Sequence, residues 1–411
     1  MSGALAATPR VSEQTAVRLL RQMLEIPSPS CAESELASYL AEAMTGLGFD
    51  ACVDETGNAV GRIDRGPGPH IMLLGHLDTV PGQIPVRSSA GKLFGRGASD
   101  AKGPLAAMVC AAASATAFAG QISVIGVVEE EVPSARGAVA IRDSLPPPAA
   151  CIVGEPSGKS SVVIGYKGKL DLQYSVTCPP GHPTSPAAKA TELVADCWTA
   201  LKDILGPVDH RVFARPGLTL ESFSGDITTA VAKIGVRIPP GMDTDALLAE
   251  LRSRLSADSP GTDSAAAGSA GAGSAGAGSA AAGTLTVLGA RSPYLADRRN
   301  PAIQALVTGI RRQSGRPTLL VKTATSDMNT LSEKWDVPMA CYGPGESKLD
   351  HTDDEHIVLA DYHWAIAVLS HALTQLSETL LPPQPQPQRA DGAIGTLYRH
   401  RWRHRHAARP A

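Results

Sequence analysis

Apolar positions along the chain recur with two different periods. Between residues 11 and 48 they recur every three or four positions, which predicts two helices separated by the break SPS. The segment ACVDETGNAVGRI predicts a hairpin with a Gly-Asn turn. Three runs, HIMLLGHLD, QISVIGVVEEE and AACIVGEPSG, are almost wholly apolar until they end in polar residues, which predicts buried strands. With the small-residue helix GPLAAMVCAAASATAF, they indicate an α/β layered sheet.

The pattern changes after about residue 160. KLDLQYSVTC and AVAKIGVRI alternate polar and apolar residues, which predicts half-buried strands. Helical patterns cover residues 187–204 and 243–256. This part of the chain is typical of a smaller α+β domain.

From about residue 292 the α/β pattern resumes. Strands are predicted at TLLVKTAT and PMACYGPG, and helices at 301–314, 327–335 and 358–379. We therefore predict a discontinuous main α/β domain that carries an inserted α+β lid or dimerisation domain. The main domain takes residues 1–160 and 289–380, and the inserted domain takes 161–288.

Two segments have a low-complexity composition. Residues 264–283, SAAAGSAGAGSAGAGSAAAG, predict a flexible loop inside the inserted domain. Residues 381–411 begin as a Pro/Gln linker and end in LYRHRWRHRHAARP, which predicts a disordered basic tail. Two alternatives stay open for the tail, namely a basic arm that attracts an acidic partner and non-specific binding of nucleic acid.

Composition narrows the classes of function. The 411 residues are 43% apolar and carry a formal net charge of −3, which gives no indication of specific nucleic-acid binding. No run approaches the roughly 20 apolar residues of a membrane span. The seven cysteines form no CxxC pair, which predicts reduced thiols in a cytoplasmic protein.

Polar side chains gather where the predicted strands end. His76 and Asp78 end the first strand, the triple glutamate ends the second, Glu155 ends the third, and Asp100 lies in a Gly-rich loop. Ligands of parallel sheets bind beyond the carboxyl ends of the strands, where several carboxylates repel one another unless cations hold them. Each residue taken singly also fits an ordinary role as a structural histidine, a solvated acid or a helix cap. Together they predict a site for more than one metal ion.

The donor types favour a hydrolytic metal site. Imidazole and carboxylate without thiolate suit zinc, cobalt or manganese. A second imidazole has to come from elsewhere in the chain. His351 in GPGESKLDHTDDEH is the leading candidate, because it follows a predicted strand and a Gly-Pro-Gly loop.

Five segments taken in order resemble the M20 family of dinuclear metallopeptidases and deacylases. They are GHLDTVPG, GRGASDAKGPLAAM, EEEVPSARGA, IVGEPSG and GPGESKLDHT. The family includes acetylornithine deacetylase, succinyl-diaminopimelate desuccinylase and glutamate carboxypeptidase, and the resemblance covers about residues 12–380. It implies a metal-dependent amide hydrolase that has two divalent ions, zinc or cobalt, in the main domain.

The resemblance implies roles for the metal-binding residues. His76 and Glu155 match ligands of one ion, and Glu131 and His351 match ligands of the other. Asp100 matches the carboxylate that bridges the two ions.

Two more acids receive roles from the resemblance. Glu130 matches the general base, which takes a proton from the attacking water and passes it to the leaving amine. Asp78 matches the group that orients the ring of His76. EEEVPS aligns with the family's DEEVGS, which selects the second and third glutamates and leaves Glu129 outside.

The inserted domain holds two further candidates. GHPTSP resembles the family's HSSxP motif, which implies that His182 donates to the developing oxyanion, in many members from the other subunit of a dimer. We therefore expect a homodimer. Arg237 in GVRIPPG lies where relatives bind a substrate carboxylate.

A narrower resemblance is to the LysK branch of the family. GYKGKL, KTATSDMNTL and YGPGESKLDHTDDEHI resemble enzymes that release lysine or ornithine from the C-terminal glutamate of a small acidic amino-group carrier protein. Ser326, Asp327 and Asn329 lie where a substrate carboxylate or amine would bind, and they also fit an N-capped helix start.

The expected function is therefore release of lysine, ornithine or a related amino acid from such a carrier, in lysine, arginine or specialised metabolism. The alternative is an N-acyl amino acid deacylase that acts on small molecules, of the acetylornithine deacetylase or succinyl-diaminopimelate desuccinylase type. A non-catalytic binding protein would lack a ligand or the base, and none is missing here.

Overall fold

A computed structural model describes residues 11–257 and 281–380 of the chain. The helices are α1 (Glu13–Glu25), α2 (Ser34–Gly46), α3 (Lys102–Ser114), α4 (Arg136–Ser144), α5 (Ala190–Leu205), α6 (Thr244–Ala257), α7 (Pro301–Arg312), α8 (Asp327–Ser332) and α9 (Leu359–Thr379). No helix in these ranges is long and apolar enough to cross a membrane.

The strands follow the same chain-order numbering. They are β1 (Asp50–Val53), β2 (Ala59–Asp64), β3 (His70–His76), β4 (Arg87–Ser89), β5 (Lys92–Phe94), β6 (Gln121–Val127), β7 (Ala150–Gly154), β8 (Ser161–Tyr166), β9 (Gly168–Thr177), β10 (Gly217–Gly225), β11 (Thr229–Ile238), β12 (Ala282–Arg291), β13 (Tyr294–Leu295), β14 (Thr318–Lys322), β15 (Met339–Cys341) and β16 (His356–Val358).

A large mixed sheet forms the centre of the main domain. Its order is β1-β2-β6-β3-β7-β15-β8-β13, with β14 beside β8. The neighbours β6, β3, β7 and β15 run parallel, so their carboxyl ends meet at one edge. The predicted α/β class is confirmed, and so is the expectation that the polar strand ends share one edge of the sheet.

A second, antiparallel sheet has the order β10-β11-β9-β12. Leu170, Leu172, Tyr174 and Val176 alternate along β9 and form a core with α5 and α6. The other face of β9 carries the polar residues of the alternation. This matches the half-buried strands that the sequence predicts.

Sheet membership shows where the chain passes between the two sheets. β8 pairs with the large sheet, although the sequence analysis placed residue 161 in the inserted domain. Membership changes between Tyr166 and Gly168, and again between Arg291 and Tyr294. We propose these positions as the borders of the inserted domain, in place of 161 and 288.

Two segments of low complexity fall largely outside the described residues. Of the predicted flexible loop, residues 264–280 lie outside, and so does the whole tail 381–411. The loop prediction is wrong at its end, because Ala282 and Gly283 pair with β9 as the first residues of β12.

Helix α3 connects the core to the strand ends. Its residues are buried almost without exception, and their small side chains allow close packing against β3 on one side and α9 on the other. Because α3 begins at Lys102, directly after the loop that carries Asp100, this packing fixes the position of that loop.

The predicted hairpin of β1 and β2 is confirmed, and its turn is tied to the end of β6. Asn58 is fully buried. Its amide oxygen accepts the N–H of Val128 at 3.1 Å, and its amide nitrogen donates to the carbonyl of Gly137 at 3.3 Å. A Cβ at Gly137 would lie 2.5 Å from the Val128 nitrogen, so the position requires glycine. Asn58 thus holds the segment that leads into the triple glutamate.

Replacing Asn58 with Ala should lower the free energy of unfolding by about 1 to 3 kcal/mol, because it leaves the buried N–H of Val128 without its partner and removes a hydrogen bond to the Gly137 carbonyl within α4. Urea unfolding measures the change. Ser38→Ala, which removes an exposed bond within α2, is the control and should change stability by less than about 0.5 kcal/mol. Equal effects of the two substitutions would contradict this account of the turn.

Candidate metal centre

Five donors predicted from separate segments meet at the carboxyl edge of the large sheet. Asp100 Oδ1 lies 3.1 Å from His76 Nε2, and Asp100 Oδ2 lies 3.3 Å from His351 Nε2. His351 Nε2 is 2.9 Å from Glu131 Oε1, and His76 Nε2 is 3.9 Å from Glu155 Oε1. Asp100 therefore lies between the two imidazoles, as expected of a bridging carboxylate.

Two overlapping groups of donor atoms could each hold an ion. One contains His76, Asp100 and Glu131, and the other contains His76, Glu130 and Glu155, with donor atoms within 4.8 Å of one another in each group. His351 lies in neither group, although its bond to Glu131 places it beside the first. The overlap supports a dinuclear centre, and the division of ligands between the two ions stays a prediction.

The electrostatics of the cluster favour cations. Burial and then the charge of Asp100 raise the pKa of Glu155 to about 8. Burial and the charge of Glu155 raise the pKa of Glu130 well above its usual range. The hydrogen bond to Asp100 is the main cause that raises the pKa of His351 to about 9. The cluster thus holds protons at neutral pH, and divalent ions would replace them. The donor set fits zinc-like metals.

Two site residues have strained backbone conformations. Glu129 has φ +60° and His351 has φ +63°. The left-handed region costs a residue other than glycine roughly 1 kcal/mol or more, and such strain is concentrated at functional sites. At Glu129 the backbone turns so that the next two glutamates face the cluster while its own side chain does not.

Glu129 binds structural partners instead of the cluster. Its carboxylate accepts bonds from Arg136 Nε and Ser134 Oγ, both at 2.7 Å. This placement agrees with the predicted register, in which Glu130 and Glu131 are the functional acids.

Asp78 has more contacts than its predicted role requires. His76 Nδ1 lies 2.8 Å from the main-chain oxygen of Asp78 and 3.5 Å from its Oδ1. The two carboxylate oxygens accept the backbone N–H groups of Glu130 and Glu131, each at 3.0 Å. Asp78 is fully buried, and it joins the end of β3 to the glutamates that follow β6.

A pocket of about 310 Å³ opens onto the cluster, with walls from both sheets. Arg237 of β11 and Arg291 of β12 lie directly opposite Lys169 of β9, so three cations form one row across the smaller sheet. Asp171 of the same strand pairs with Lys169 at 3.0 Å, and an anionic ligand would reduce the remaining repulsion between the three cations. Lys322 of β14 adds a cation on the other wall.

Of these four cations, only Arg237 was predicted from the sequence. Lys169 begins the alternating segment KLDLQYSV, so period-two alternation could have assigned it to the open face of a strand. Lys322 follows three consecutive apolar residues, and the alternation of TLTV before Arg291 ends where the strand register shifts, so only the strand pairing reveals their places.

Of the three residues at the start of α8 that were predicted to bind substrate, only two line the pocket. Ser326 and Asn329 form a capping box, which confirms the helix start. Asn329 does not line the pocket, because its amide bonds the Ser326 N–H and the carbonyls of Lys167 and Ser292. The structure therefore does not support Asn329 as a substrate contact. Ser326 and Asp327 do line the pocket.

Asp327 is a buried carboxylate that forms no ion pair among the described residues, although the charges of His76 and Arg291 lie near enough to act on it. It is 1% exposed, and its Oδ1 has no hydrogen-bond partner among the described residues. Burial is the main cause that raises its pKa to about 7. Because Asp327 lines the pocket, a cation bound there would lie near its carboxylate.

The structure does not bring His182 to the pocket of its own chain. The side chain is exposed in the loop between β9 and α5, and its Nδ1 lies 2.8 Å from Thr184 Oγ1. Because the pocket lining of the described chain does not include His182, a role in oxyanion stabilisation requires a second subunit.

Comparison with known proteins agrees with the geometry. Residues 72–375 match peptidase family M20/M25/M40. A LysW-lysine hydrolase of Deinococcus radiodurans is 39% identical over 388 residues, with 90% of this chain and 99% of that protein covered. A putative LysW-lysine/LysW-ornithine hydrolase of Thermococcus kodakarensis is 36% identical, with 89% and 93% covered.

Solved structures share the fold at low identity. Aminopeptidase PepT from Bacillus cereus has a TM-score of 0.72 and 16% identity, with 90% of this chain and 100% of that chain covered. YXEP of Bacillus subtilis, a dinuclear metal binding peptidase from the M20 family, has a TM-score of 0.62 and 12% identity, with 89% and 99% covered.

Glu155→Gln should lower the metal content from two ions to about one per chain, because it weakens one donor group and leaves Glu131 and His351 in place. Atomic emission after dialysis measures the content. Glu129→Gln is the matched control and should keep both ions, because its carboxylate binds Arg136. Loss of an ion from the control would show that the register of the triple glutamate is wrong.

Proposed function

This chain belongs to peptidase family M20/M25/M40, and on that premise we propose that it releases lysine, ornithine or a related amino acid from the C-terminal glutamate of an amino-group carrier protein. It is a metal-dependent hydrolase of amide bonds. The Deinococcus and Thermococcus relatives have names that specify LysW-linked lysine or ornithine. The observation that carries the proposal is a pocket at the donor cluster with a cation row and an unpartnered carboxylate.

The ions, zinc or cobalt in this proposal, would be held by His76, Asp100, Glu131, Glu155 and His351. When bound, they supply Lewis acidity toward a water molecule and the amide carbonyl. The chain itself provides the proton transfer. Glu130 faces the cluster, accepts the proton of the attacking water, and donates it to the leaving amine. Its raised pKa matches a group that has to hold that proton between the two steps.

The charges of the pocket fit the two sides of the proposed amide. A glutamyl-lysine linkage presents carboxylates that suit the row of Lys169, Arg237 and Arg291. The free ammonium of a lysine or ornithine side chain would pair with Asp327. A carboxylate would be repelled there, so of the two ligands that the sequence left open, the amine is favoured.

Three further features belong to the proposal. We propose a homodimer in which His182 of one subunit serves the pocket of the other. The partner is an acidic carrier protein, and neither a membrane nor a specific nucleic acid has a role. The seven cysteines are all free thiols, which supports a cytoplasmic location.

The zinc- or cobalt-loaded enzyme should hydrolyse carrier-linked lysine or ornithine with a kcat/KM at least about 100-fold above that for acetylornithine or succinyl-diaminopimelate. Acetylornithine has no carboxylate on its acyl side for the cation row, and in succinyl-diaminopimelate a carboxylate accompanies the ammonium that would meet Asp327. Chromatographic detection of the released amino acid measures the rates. Faster hydrolysis of either small molecule would instead favour the N-acyl amino acid deacylase.

Glu130→Gln should keep both ions and lower kcat by at least about 100-fold, because an amide cannot carry the proton. Metal analysis and turnover are measured on the same sample. Glu129→Gln should retain most of the activity. A Glu130→Gln enzyme that turns over normally would show that the base is misassigned.

A further inference from the structure

Two buried carboxylates that are not themselves predicted metal ligands accept hydrogen bonds from the backbone of the loops that carry those ligands. One is Asp78, whose oxygens accept the N–H groups of Glu130 and Glu131. The other is Glu355, which is 1% exposed and to which the sequence analysis gave no role. Each of the two follows a histidine of the cluster by a few residues, Asp78 after His76 and Glu355 after His351.

Glu355 binds the loop that carries Asp100. Its Oε1 accepts the N–H of Ser99 at 2.9 Å and the N–H of Asp100 at 3.1 Å. Its Oε2 accepts Arg96 Nη1 at 2.8 Å, and Arg96 also donates to the carbonyl of Thr352. Two backbone N–H groups and one guanidinium N–H therefore donate to the same buried carboxylate. Because the carboxylate is charged, these hydrogen bonds are strong.

Strand pairing places Glu355 at this position. β16 begins at His356 and pairs with β5, with His356 opposite Phe94. β5 leads directly into the loop that ends at Asp100, and the N–H of Gly95 bonds the main-chain oxygen of Glu355 at 3.3 Å. The segment that supplies His351 to the cluster thus also holds the backbone of Asp100.

We propose that Glu355 is a positioning residue of the metal centre, which fixes the backbone at Asp100 so that the two oxygens of that carboxylate face His76 and His351. The inference rests on the proposed metal-dependent function. It predicts that the loss of Glu355 weakens the binding of both ions, because Asp100 lies between them, and that the loss exceeds any general effect on folding.

Glu355→Gln is the test, because it keeps the size of the side chain and removes the charge that attracts three donors. The dissociation constants of Zn²⁺ should rise by roughly 10- to 100-fold, as is usual when groups that support metal ligands are altered. Competition with a chromophoric chelator measures them without substrate. Excess Zn²⁺ should restore much of the kcat, because Asp100 itself is intact.

Asp226→Asn is the matched control. Asp226 also accepts backbone N–H groups, those of Thr228 and Thr229 at 2.7 and 3.0 Å, but it lies in the turn between β10 and β11. It should lower the urea midpoint and leave the zinc dissociation constants within about twofold of the wild type. This comparison separates a positioning role from a loss of stability.

A folded Glu355→Gln protein with wild-type zinc affinity would overturn the proposal, and so would equal losses of affinity in Glu355→Gln and Asp226→Asn. If Glu355→Gln does not fold, Arg96→Gln replaces it, with an expected loss of at least threefold in affinity; unchanged affinity overturns the proposal. Failure of wild-type protein to bind zinc would overturn the proposed function as well. Normal zinc binding without amide hydrolysis would count against the proposed function alone.

Discussion

The mutual repulsion of buried carboxylates at one edge of the sheet is the constraint on which the rest of the site depends. Glu131 and Glu155 lie close to Asp100, Glu130 lies close to both of these glutamates, and burial disfavours the charged form of all three. The two imidazoles and the expected divalent ions supply the positive charge that offsets the repulsion between these carboxylates. The main domain is built so that four parallel strands end at this edge, and the buried helix α3 fixes the loop of Asp100 from behind.

The backbone geometry at the cluster is fixed by charged side chains that are not themselves metal ligands. Asp78 binds the N–H groups of Glu130 and Glu131, while Glu129 is held away from the cluster by Arg136. These contacts fix the direction of each carboxylate before any ion binds. Positioning of this kind limits the reorganisation that binding requires, and it explains why the neighbouring glutamates have different roles.

The smaller sheet contributes charged side chains to the walls of the pocket, while the donor cluster belongs to the main domain. Its row of Lys169, Arg237 and Arg291 faces a wall of the main domain that holds Asp327. An amide hydrolase with this charge distribution suits a substrate that carries both carboxylate and ammonium groups. His182 lies away from this pocket, so its proposed role depends on the proposed dimer.

Much of the fold and most of the metal-binding residues could be predicted from the sequence, because both are indicated by patterns within short segments of the chain. Apolar runs that end in acids or histidine predicted β3, β6 and β7, and the five donors of the resemblance do meet around Asp100. The sequence did not reveal the cross-strand cation row, the contacts of Glu355, or the proposed border at β8, and it left open whether Asn329 caps a helix or binds substrate. Those depend on strand register and on which backbone groups face each side chain. Such facts arise from pairing between segments up to hundreds of residues apart, so only the tertiary structure could decide them.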